Sequence, residues 1–425
     1  MVRILMNHWF STAYNIVNLI KQDDPEFFVI GSNENVGSPI RTVCDEWYHE
    51  PTLKDDTYVD YCVEFCREHY VDVFLPRRGM LDISKHIQRF SSIGTKVMVD
   101  DYSLISVLNH KNEAYELFKK EGIGIVPEYR MVTTTEQFCR GYSELKEQYK
   151  QVCFKFVKDE GGKSFRLIDN SKTGYATLFK KQTTRMTYDA AVAALSEKET
   201  FPPIMLMPYL PNEEISVDCL KTNSGIIMIP RVKGATRVEA IRYNPDILAT
   251  CQRFFERIPL EMPCNIQFKY LEGIPYMLEV NTRMSGGVQM ACLGSGINIP
   301  NIAVNKLLGI DKHWTNNYEV VKEMLPQADV YVYEDDKIIQ GFVGINDEYI
   351  EGIFVSDEMQ SHGIGKILLD HIKDKKVRLQ LNVYQKNVRA MSFYQREGFT
   401  IQSEGLDEFT GEKEYVMNWE SNCEV

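Results

Sequence analysis

The sequence predicts a protein of mixed α/β and α+β class, with three consecutive domains at residues 1–108, 109–310 and 311–425. Three observations support this prediction. Apolar strands and helices alternate in the first domain, two strands of alternating polarity form a hairpin within residues 265–287, and a new strand pattern begins at Asp329. A chain of 425 residues is long enough for several domains, each with its own core.

The composition is that of an ordinary globular protein, with 44% hydrophobic and 25% charged residues. A formal net charge of −12 argues against non-specific binding to nucleic acid or to an acidic membrane, since both need a basic surface. No apolar run is long enough to span a bilayer. We therefore expect small-molecule substrates and no nucleic-acid or membrane partner, and leave homo-oligomerisation open.

The ten cysteines form no Cys-x-x-Cys pair, and no secretory leader precedes them. Cys62 and Cys66 lie one helical turn apart, but no further metal ligand follows at a useful spacing. We expect reduced thiols in a cytoplasmic protein.

The first domain is predicted to be a small parallel sheet covered by helices. The predicted elements, strand and helix in turn, are Arg3–Met6, Ser11–Lys21, Phe27–Gly31, Thr57–His69 and Val71–Leu75. Ligands of such sheets bind at the carboxyl ends of the strands, here residues 7–8, 31–33 and 76–79. Arg77 and Arg78 in the last segment either meet an acidic substrate or are solvated loop charges.

The second domain opens with a predicted helix from a capping Asn109 to a terminating Gly122, with Lys111 in its first turn. Farther on, Lys155 stands among apolar residues in the predicted strand 152–157. A lysine in such surroundings is costly unless its ammonium meets an anion, so Lys155 is a candidate phosphate contact.

A short glycine loop at residues 160–164 contains Gly161, Gly162 and Ser164. Its backbone N–H groups can close over phosphates, although a plain hairpin turn also explains the Gly-Gly pair. It is not a Walker loop, because the longer spacing and the following helix are missing.

Residues 265–287 are predicted to form two strands joined by a short turn. The two-residue period of the second strand puts Glu279, Asn281 and Arg283 on one face and Leu278 on the other. Oxygen ligands and a guanidinium then share one surface. The wet face of an ordinary half-buried sheet explains the same alternation.

A symmetric hairpin places Gln267 opposite Glu279, and Phe268 opposite Leu278. Gln267 then joins Glu279 and Asn281 as a third oxygen ligand. This set suits Mg²⁺ with a nucleoside triphosphate, because Mg²⁺ takes a few protein oxygens and completes its shell with phosphates and water.

Residues 1–309 resemble the ATP-grasp ligases. The resemblance is carried by Lys155, by the strand and Pro-bounded linker at 204–218, by Asn281-Thr-Arg-Met-Ser-Gly-Gly287 and by a closing helix that stops at Gly309. The segments that are similar to the group associated with tellurium-resistance operons are residues 7–13, 31–35 and 281–287.

The ATP-grasp resemblance implies a carbamoyl-phosphate synthetase-like carboxylate-amine ligase that uses ATP and Mg²⁺ and forms an amide through an acyl phosphate. Arg283 would be catalytic, and Gln267, Glu279 and Asn281 would hold the metal. The implied ATP contacts are Lys111, Lys155, Gly161, Gly162, Ser164, Met207, Tyr209, Leu210 and Glu214. Many such ligases carry a carboxylate where this chain has Gln267, so the number of metal ions stays open.

Two of these interpretations have structural alternatives. Lys111 can be an ordinary surface lysine of a helix, and Glu214 a solvent-facing strand residue. Arg231, Lys233 and Arg237 share one parity on or near a strand, and we expect them on the phosphate side of the cleft.

The third domain has predicted strands up to Val355 and then a helix whose start contains Gly363 and Gly365. A helix N-terminus with close-approach glycines is an anion site that suits a pyrophosphate. With the strand 379–383 and the segment 387–399, this pattern resembles the GCN5-related N-acetyltransferases (GNAT).

The GNAT resemblance implies an acetyl-coenzyme A (acetyl-CoA) site. Its implied contacts are Phe354, Val355, Gln360, Gly363, Gly365, Lys366 and Asn387. Tyr394 would be catalytic, as the proton donor to the departing thiolate, or else a packed helix tyrosine. The family usually begins with a strand and two helices, for which this chain has little room after Gly309. Either the central domain completes the module or the acceptor site is altered.

The expected function is an amide-forming ligase fused to an N-acetyltransferase of the same biosynthetic pathway, acting on amino-acid-like carboxylates and amines. Two alternatives remain. One is a sensor or scaffold that binds nucleotide and acetyl-CoA without turnover. The other is an acetyltransferase with a binding-only ATP-grasp part.

Overall fold

The computed structural model describes residues 1–157, 164–171, 184–223, 225–234, 238–310, 329–335, 338–356, 359–385, 387–406 and 413–421. Within these residues, helices cover three sheets of five, five and eleven strands. The predicted mixed class is confirmed. No helix in the described ranges combines the length and the apolar character that crossing a membrane requires.

The N-terminal sheet is entirely parallel. Its strands are β1 (Arg3–Asn7), β2 (Phe28–Asn33), β3 (Glu46–His49), β4 (Val73–Leu75) and β5 (Lys96–Val97), in the order β3-β2-β1-β4-β5. The helices are α1 (Ala13–Asp23), α2 (Asp55–Glu68), α3 (Met80–Lys85), α4 (Ile87–Ser91) and α5 (Tyr102–Asn109), with a 3₁₀ turn at Pro39–Thr42. The predicted alternation is confirmed, while β3 and β5 were not predicted.

The second sheet is mixed. Its strands are β6 (Arg130–Val132), β7 (Val152–Phe156), β8 (Arg166–Ile168), β9 (Arg185–Met186) and β10 (Ile204–Pro208), in the order β6-β10-β7-β8-β9. The helices are α6 (Lys111–Lys120), α7 (Thr135–Gln148) and α8 (Tyr188–Leu195). The predicted cap is wrong, because Asn109 ends α5 and His110 precedes α6. The predicted stop is confirmed, since Gly122 has a φ of +61° just beyond α6.

The third sheet runs through the rest of the chain. Its strands are β11 (Glu214–Thr222), β12 (Gly225–Lys233), β13 (Val238–Ile241), β14 (Cys264–Leu271), β15 (Ile274–Asn281), β16 (Asp329–Asp335), β17 (Ile338–Asn346), β18 (Tyr349–Val355), β19 (Arg378–Tyr384), β20 (Thr400–Leu406) and β21 (Lys413–Glu420). The order is β15-β14-β11-β12-β13-β16-β17-β18-β19-β21-β20. The helices are α9 (Pro245–Arg257), α10 (Val288–Ser295), α11 (Ile299–Leu308), α12 (Ile364–Lys373) and α13 (Val388–Arg396).

This sheet crosses the predicted domain boundary at residue 310. β13 of the central part pairs antiparallel with β16 of the C-terminal part, from Val238 opposite Tyr333 to Ile241 opposite Val330. The central domain therefore supplies the strand beside β16, where the C-terminal part has no preceding strand of its own among the described residues. Backbone hydrogen bonds make the two parts one continuous sheet.

The closing helix α11 fixes the N-terminal part against the central part. Its Asn301 and Asn305 amides each donate to the buried Asp24 carboxylate at 2.9 Å, next to the end of α1. Asn298 donates to the Leu19 carbonyl of α1 at 2.7 Å. Since buried amides keep these bonds only in one arrangement, α1 is held at a defined position against α11.

Candidate functional site

The hairpin of β14 and β15 carries the predicted metal ligands. Gln267 lies opposite Glu279, as predicted. The register then shifts at a bulge, so that Phe268 pairs with Met277 and not with Leu278. The prediction for Phe268 is wrong because the bulge leaves Leu278 without a directly opposite partner, so that Met277 takes the buried position opposite Phe268.

The three predicted ligands lie on the same face of the hairpin. Asn281 donates its amide to Glu279 Oε1 at 3.2 Å, and Gln267 donates to Asn265 at 3.3 Å. These bonds use the amide nitrogens, and the amide oxygens are the atoms of these side chains that can coordinate a metal. Lys111 of α6 forms an ion pair with the Glu279 carboxylate.

The donor set fits Mg²⁺ bound with nucleotide phosphates. One carboxylate and two amide oxygens are hard ligands, and the Lys111 ammonium beside Glu279 shows that this position favours a cation. Among the described residues there is no cluster of three or more His, Cys, Asp or Glu side chains that could hold a metal alone. Such a site would therefore depend on phosphate oxygens for the rest of its shell.

The polar face continues across four strands as three rows of cross-strand neighbours. The rows are Lys269, Glu214 and Lys233; then Glu279, Gln267, Ser216 and Arg231; then Asn281, Asn265 and Asp218. Directly paired residues on neighbouring antiparallel strands share a face of the sheet. The first row lies nearest the start of β11 and the third lies farthest from it.

Arg231 is buried inside this face and does not line a phosphate cleft as predicted. Its guanidinium donates to Asp218 at 2.7 Å, to Glu239 of β13 and to Ser285 at 3.2 Å, and it is 2% exposed. Burial lowers the pKa of Arg231, but the charges of Asp218 and Glu239 outweigh it and hold the pKa above its ordinary value. The prediction failed because residue parity predicts the face of a strand on which a side chain lies, but not how deeply that side chain is buried.

The Arg231 network also holds the loop after β15. The Ser285 hydroxyl donates to Asp218 at 2.6 Å and accepts the Gly287 N–H at 3.2 Å. A Cβ at Gly287 would lie 2.5 Å from an Arg231 guanidinium nitrogen, so only glycine fits against this arginine. Gly287 is therefore required for the close approach of the loop to the buried cation.

The predicted hinge is the connection between the second and third sheets. β10 ends at Pro208 in one sheet and β11 begins at Glu214 in the other. Met207 and Leu210 are buried in this segment. The Leu210 carbonyl accepts the Lys269 ammonium at 3.2 Å, and that ammonium lies 5.6 Å from the centre of the Tyr209 ring.

Lys269 is a charged residue of the cleft that the sequence reasoning missed. It shares the face of Gln267 two residues away, which was the available signal. Its neighbour Glu214 pairs with Lys233 at 2.6 Å, so the predicted ribose contact lies beside two lysines. Lys233 shares the face of the sheet that carries Glu214 and Lys269.

Lys155 lies on β7 opposite Met205, and its side chain is partly buried. Burial raises the pKa of the nearby Cys153 thiol to about 12, and the positive charges of Lys155 and Lys269 oppose this rise. The two lysines therefore reach the same region from different sheets. Ser164 accepts the Phe156 N–H at 2.9 Å. The other predicted loop residues, Gly161 and Gly162, lie outside the described residues, as does Arg237.

Arg283 follows the hairpin and lies near Phe10 of the N-terminal domain. Its guanidinium carbon lies 5.8 Å from the centre of the Phe10 ring, and that of Arg77 lies 5.6 Å from the same centre. Phe10 follows β1, at the predicted ligand-binding edge of the parallel sheet. Arg283, the catalytic candidate, therefore lies near the same Phe10 ring as Arg77 of the N-terminal domain.

In the C-terminal part, β18 and β19 separate along their length. Their pairing in the described residues is the single parallel bridge between Tyr349 and Gln380, while β18 stays paired with β17 up to Val355. The end of β18, with Phe354 and Val355, therefore faces a gap between two strands. An extended ligand can bond to backbone groups in such a gap.

The loop before α12 contacts the end of β18 at this gap. Gln360 donates to the Val355 carbonyl at 3.2 Å, and Gly363 has a φ of +83° at the N-cap of α12. Gly365 packs against Phe393, where a Cβ would lie 3.4 Å from the ring. The α12 N-terminus thus directs backbone N–H groups toward the space beside β18.

Arg389 of α13 adds a cation that the sequence reasoning missed. It donates to the Gln360 side chain and to the Ser361 hydroxyl, the latter at 3.2 Å. No sequence pattern marked it, because its contact depends on how α13 packs. Lys366, a predicted acetyl-CoA contact, instead bonds to Asp370 at 2.9 Å and to Glu397 at 3.2 Å.

Tyr394 is 8% exposed and packs edge-on against Phe399, with ring centres 5.6 Å apart. Burial raises its pKa to about 12, so the hydroxyl keeps its proton at neutral pH. Asn387 accepts the Ala390 N–H at 3.1 Å and caps α13.

Two family models match the chain. The model described as ATP-grasp in the biosynthetic pathway with Ter operon matches residues 200–328, and the acetyltransferase (GNAT) domain model matches residues 326–401. Both resemblances predicted from the sequence are confirmed.

Curated relatives match the same two parts. Peptidyl-lysine N-acetyltransferase YiaC of Escherichia coli (strain K12) is 32% identical over 109 residues, which are 25% of this chain and 75% of that protein. The carbamoyl phosphate synthase large chain of Clostridium perfringens (strain SM101 / Type A) is 26% identical over 222 residues, which are 44% of this chain and 21% of that protein.

Solved structures share the fold at low sequence identity. A biotin carboxylase from Campylobacter jejuni has a TM-score of 0.57 at 14% identity, covering 77% of this chain and 74% of that chain. The N5-carboxyaminoimidazole ribonucleotide synthetase purK, in its ADP complex, has a TM-score of 0.57 at 12% identity, covering 99% and 93%. These likenesses concern the fold alone.

We predict that Asp218→Ala lowers the free energy of unfolding by about 3–5 kcal/mol, because Arg231 stays buried without its main partner. Urea unfolding followed by circular dichroism measures this change. The control is Glu213→Ala, which removes a surface pair with Arg242 at 3.4 Å and should cost at most about 1 kcal/mol. Equal losses in the two variants would contradict a structural role for the Arg231 network.

Proposed function

We propose that the chain, which belongs to the GNAT acetyltransferase family and whose residues 200–328 match an ATP-grasp family model, is a carboxylate-amine ligase with an N-acetyltransferase module of the same pathway. In the ligase half, ATP phosphorylates a carboxylate to an acyl phosphate and leaves as ADP. The amine then attacks the acyl carbon, the C–N bond forms, and the C–O bond to phosphate breaks. The amine proton passes to water or a nearby base.

The observation that carries this proposal is the connected polar face from the hinge to Arg283. Lys269 and Glu214 lie at its nucleotide end, and Glu279 with its neighbours lies farther along. Arg283 follows at the edge of the N-terminal domain. The order of these groups is that of adenosine and phosphates in an extended ATP, followed by the carboxylate that accepts the phosphoryl group.

Each part of this face has a proposed task. The connection at Met207, Tyr209 and Leu210 holds adenine, and Glu214 holds the ribose hydroxyls. Lys155 and the loop at Ser164 contact phosphates. Positioned charges of this kind lower the barrier by stabilising charge that moves during the reaction.

Glu279, Gln267 and Asn281 are the proposed metal ligands. Bound with ATP, Mg²⁺ would neutralise phosphate charge and orient the γ-phosphoryl group. Lys111 would then exchange its contact with Glu279 for a phosphate oxygen, and Arg283 would contact the transferred group. Both side chains already lie beside this hairpin.

The acetyltransferase half is proposed to bind acetyl-CoA in the gap between β18 and β19. The pantetheine arm would bond along Phe354 and Val355, near Asn387. The pyrophosphate would lie at Gln360, Gly363 and Gly365, where the α12 N-terminus favours an anion. Lys366 lies within the same first turn.

In the transfer step an amine attacks the acetyl carbon, and the C–S bond breaks. The thiolate takes a proton, which we assign to Tyr394. A raised pKa keeps that proton on the hydroxyl before the step. The acceptor is an amine, either of the ligase product or of a lysine side chain as the name of the YiaC relative indicates.

A second candidate function is a sensor that binds both ligands without turnover. It is favoured by the single carboxylate in the ligand set and by the ion pair that Lys111 makes with it. ADP formation separates the two functions, because a sensor binds ATP and releases no ADP with any carboxylate.

We expect Glu279→Gln to weaken Mg·ATP binding at least about tenfold, or 1.4 kcal/mol, by removing the one carboxylate of the site. Isothermal titration with Mg·ATP measures the affinity, and ADP release with a carboxylate panel measures turnover. Glu272→Gln, at the exposed turn of the same hairpin, should leave both unchanged. Wild-type Mg·ATP affinity in Glu279→Gln would refute the proposed metal site.

Arg389→Gln should weaken coenzyme A binding about tenfold, since a charge-assisted contact at the pyrophosphate loop is lost. Titration calorimetry with coenzyme A tests this. Arg396→Gln on the same helix is the matched control, because that side chain is 70% exposed. If both variants bind coenzyme A equally well, Arg389 stabilises the loop at Gln360 and Ser361 and does not contact the coenzyme.

Tyr394→Phe is expected to slow acetyl transfer about 100-fold or more while coenzyme A affinity stays unchanged, because only the proton donor is removed. Release of free coenzyme A from acetyl-CoA, with a panel of lysine peptides and small amines, gives the rate. An unchanged rate would make Tyr394 a packing residue of α13.

A further inference from the structure

The N-terminal domain contains an open cavity of about 960 Å³ at the carboxyl ends of its parallel strands. Its lining includes His8 after β1, Asn33 at the end of β2 and Gly79 after β4. Cavities of several hundred cubic ångströms hold small molecules of metabolite size. This cavity is therefore large enough for a substrate of the ligase.

The cavity adjoins the proposed phosphoryl-transfer site at Phe10. Phe10 lines the cavity, and its ring centre lies 5.8 Å from the Arg283 guanidinium carbon. The neighbouring Trp9 lines a small pocket together with Arg283, and its indole N–H donates to the Leu75 carbonyl at 2.8 Å. A molecule in the cavity therefore lies next to the position proposed for the activated carboxylate.

His8 contributes an imidazole to the wall of the cavity. Its side chain is 41% exposed, and its φ of +46° is unusual for a residue with a side chain. The backbone is held in this conformation, because the His8 N–H donates to the Ser32 carbonyl of β2 at 2.7 Å. Backbone strain that the surrounding structure maintains is typical of functional positions.

A buried carboxylate lies behind the imidazole. Glu50 is fully buried, and its Oε2 lies 3.5 Å from His8 Nδ1, which has no hydrogen-bond partner within the described ranges. The contact between Glu50 and His8 becomes an ion pair when the imidazole takes a proton. Since Nδ1 is directed at Glu50, Nε2 is the nitrogen that can take a proton from the cavity.

Several elements hold Glu50 in place. The Tyr58 hydroxyl of α2 donates to Glu50 at 2.6 Å, and burial raises the pKa of this hydroxyl, so that it keeps its proton. Arg78, after β4, pairs with Glu50 at 3.2 Å and with Glu34 at 2.8 Å. Asn7 of β1 donates to the Tyr58 oxygen at 2.6 Å. The wall behind His8 is therefore a connected polar network, which fixes the group that the imidazole contacts.

We infer that His8 is the general base of the ligase reaction, and that the amine substrate binds in this cavity. This inference rests on the proposed ligase function. The nitrogen lone pair of the amine attacks the acyl carbon, the C–O bond breaks, and its electron pair leaves with the phosphate. His8 Nε2 takes the proton that the nitrogen loses, and water then receives this proton from the imidazolium.

The test separates attack by an amine from formation of the acyl phosphate. Hydroxylamine traps acyl phosphates and is largely unprotonated at neutral pH, so its attack needs no general base. The full chain is first assayed for ADP with Mg·ATP, hydroxylamine and a panel of amino acids and dicarboxylates. With each carboxylate that responds, amino acids and diamines then replace hydroxylamine as the nucleophile.

His8→Asn should slow the amine-dependent reaction at least about 100-fold and change the hydroxylamine-dependent reaction less than about twofold. Asn is chosen because it adopts a positive φ more readily than most side chains, so the backbone is kept. Added imidazole should restore part of the lost rate. His86→Asn is the matched control, since His86 lies 3.3 Å from the Asp56 carboxylate and outside the cavity lining, and it should change neither rate.

The inference is overturned if His8→Asn slows both reactions equally or slows neither. It is also overturned if the unchanged protein uses hydroxylamine but no amine of the panel. ADP formation with hydroxylamine distinguishes these results from failure of the ligase function. An unchanged protein that forms no ADP with hydroxylamine refutes the ligase proposal itself, whereas ADP formation without an effect of His8→Asn on the amine reaction refutes only the role of His8.

Discussion

The burial of the Arg231 guanidinium is the constraint on which the central part of the structure depends. A cation that is 2% exposed has to be compensated from several sides, and here Asp218, Glu239 and Ser285 supply the partners from β11, β13 and the loop after β15. These contacts fix the distances between elements that carry the candidate site. The position of the hairpin that carries Glu279 therefore depends on the buried ion pair between Arg231 and Asp218, which contacts the loop after β15.

The same constraint links the two halves of the chain. Glu239 reaches Arg231 from β13, and β13 is also the strand that pairs with β16. One short strand thus completes the ATP-grasp face on one side and the acetyltransferase sheet on the other. The C-terminal part has no other partner for that edge of β16 among the described residues. Its fold is consequently tied to the central domain by backbone hydrogen bonds and not only by a linker.

Local sequence patterns predicted the helices and strands and the face of the strand on which a side chain lies. They did not predict how deeply a side chain is buried or which residues distant in sequence it contacts. Alternation gave β14, β15 and the pairing of Gln267 with Glu279, because strand polarity repeats every two residues. The bulge beside Gln267 shifts that pattern by one residue, so that Met277 and Val280 are both buried although they lie three residues apart. The burial of Arg231 and the contact of Arg389 with the loop before α12 depend on partners distant in sequence. The pairing of β13 with β16 depends on topology in the same way.

The continuous sheet also sets the distance between the two candidate reactions. Seven strand steps separate β15 from β18 in the sheet order, and neighbouring strands lie about 4.8 Å apart, so the two sites are roughly 30 Å apart along the sheet. No small substrate reaches both sites at once. A molecule used by both modules would have to leave one site before it enters the other. The rigid connection through β13 then keeps this path constant in length, in contrast to a flexible linker, which would let the modules approach each other.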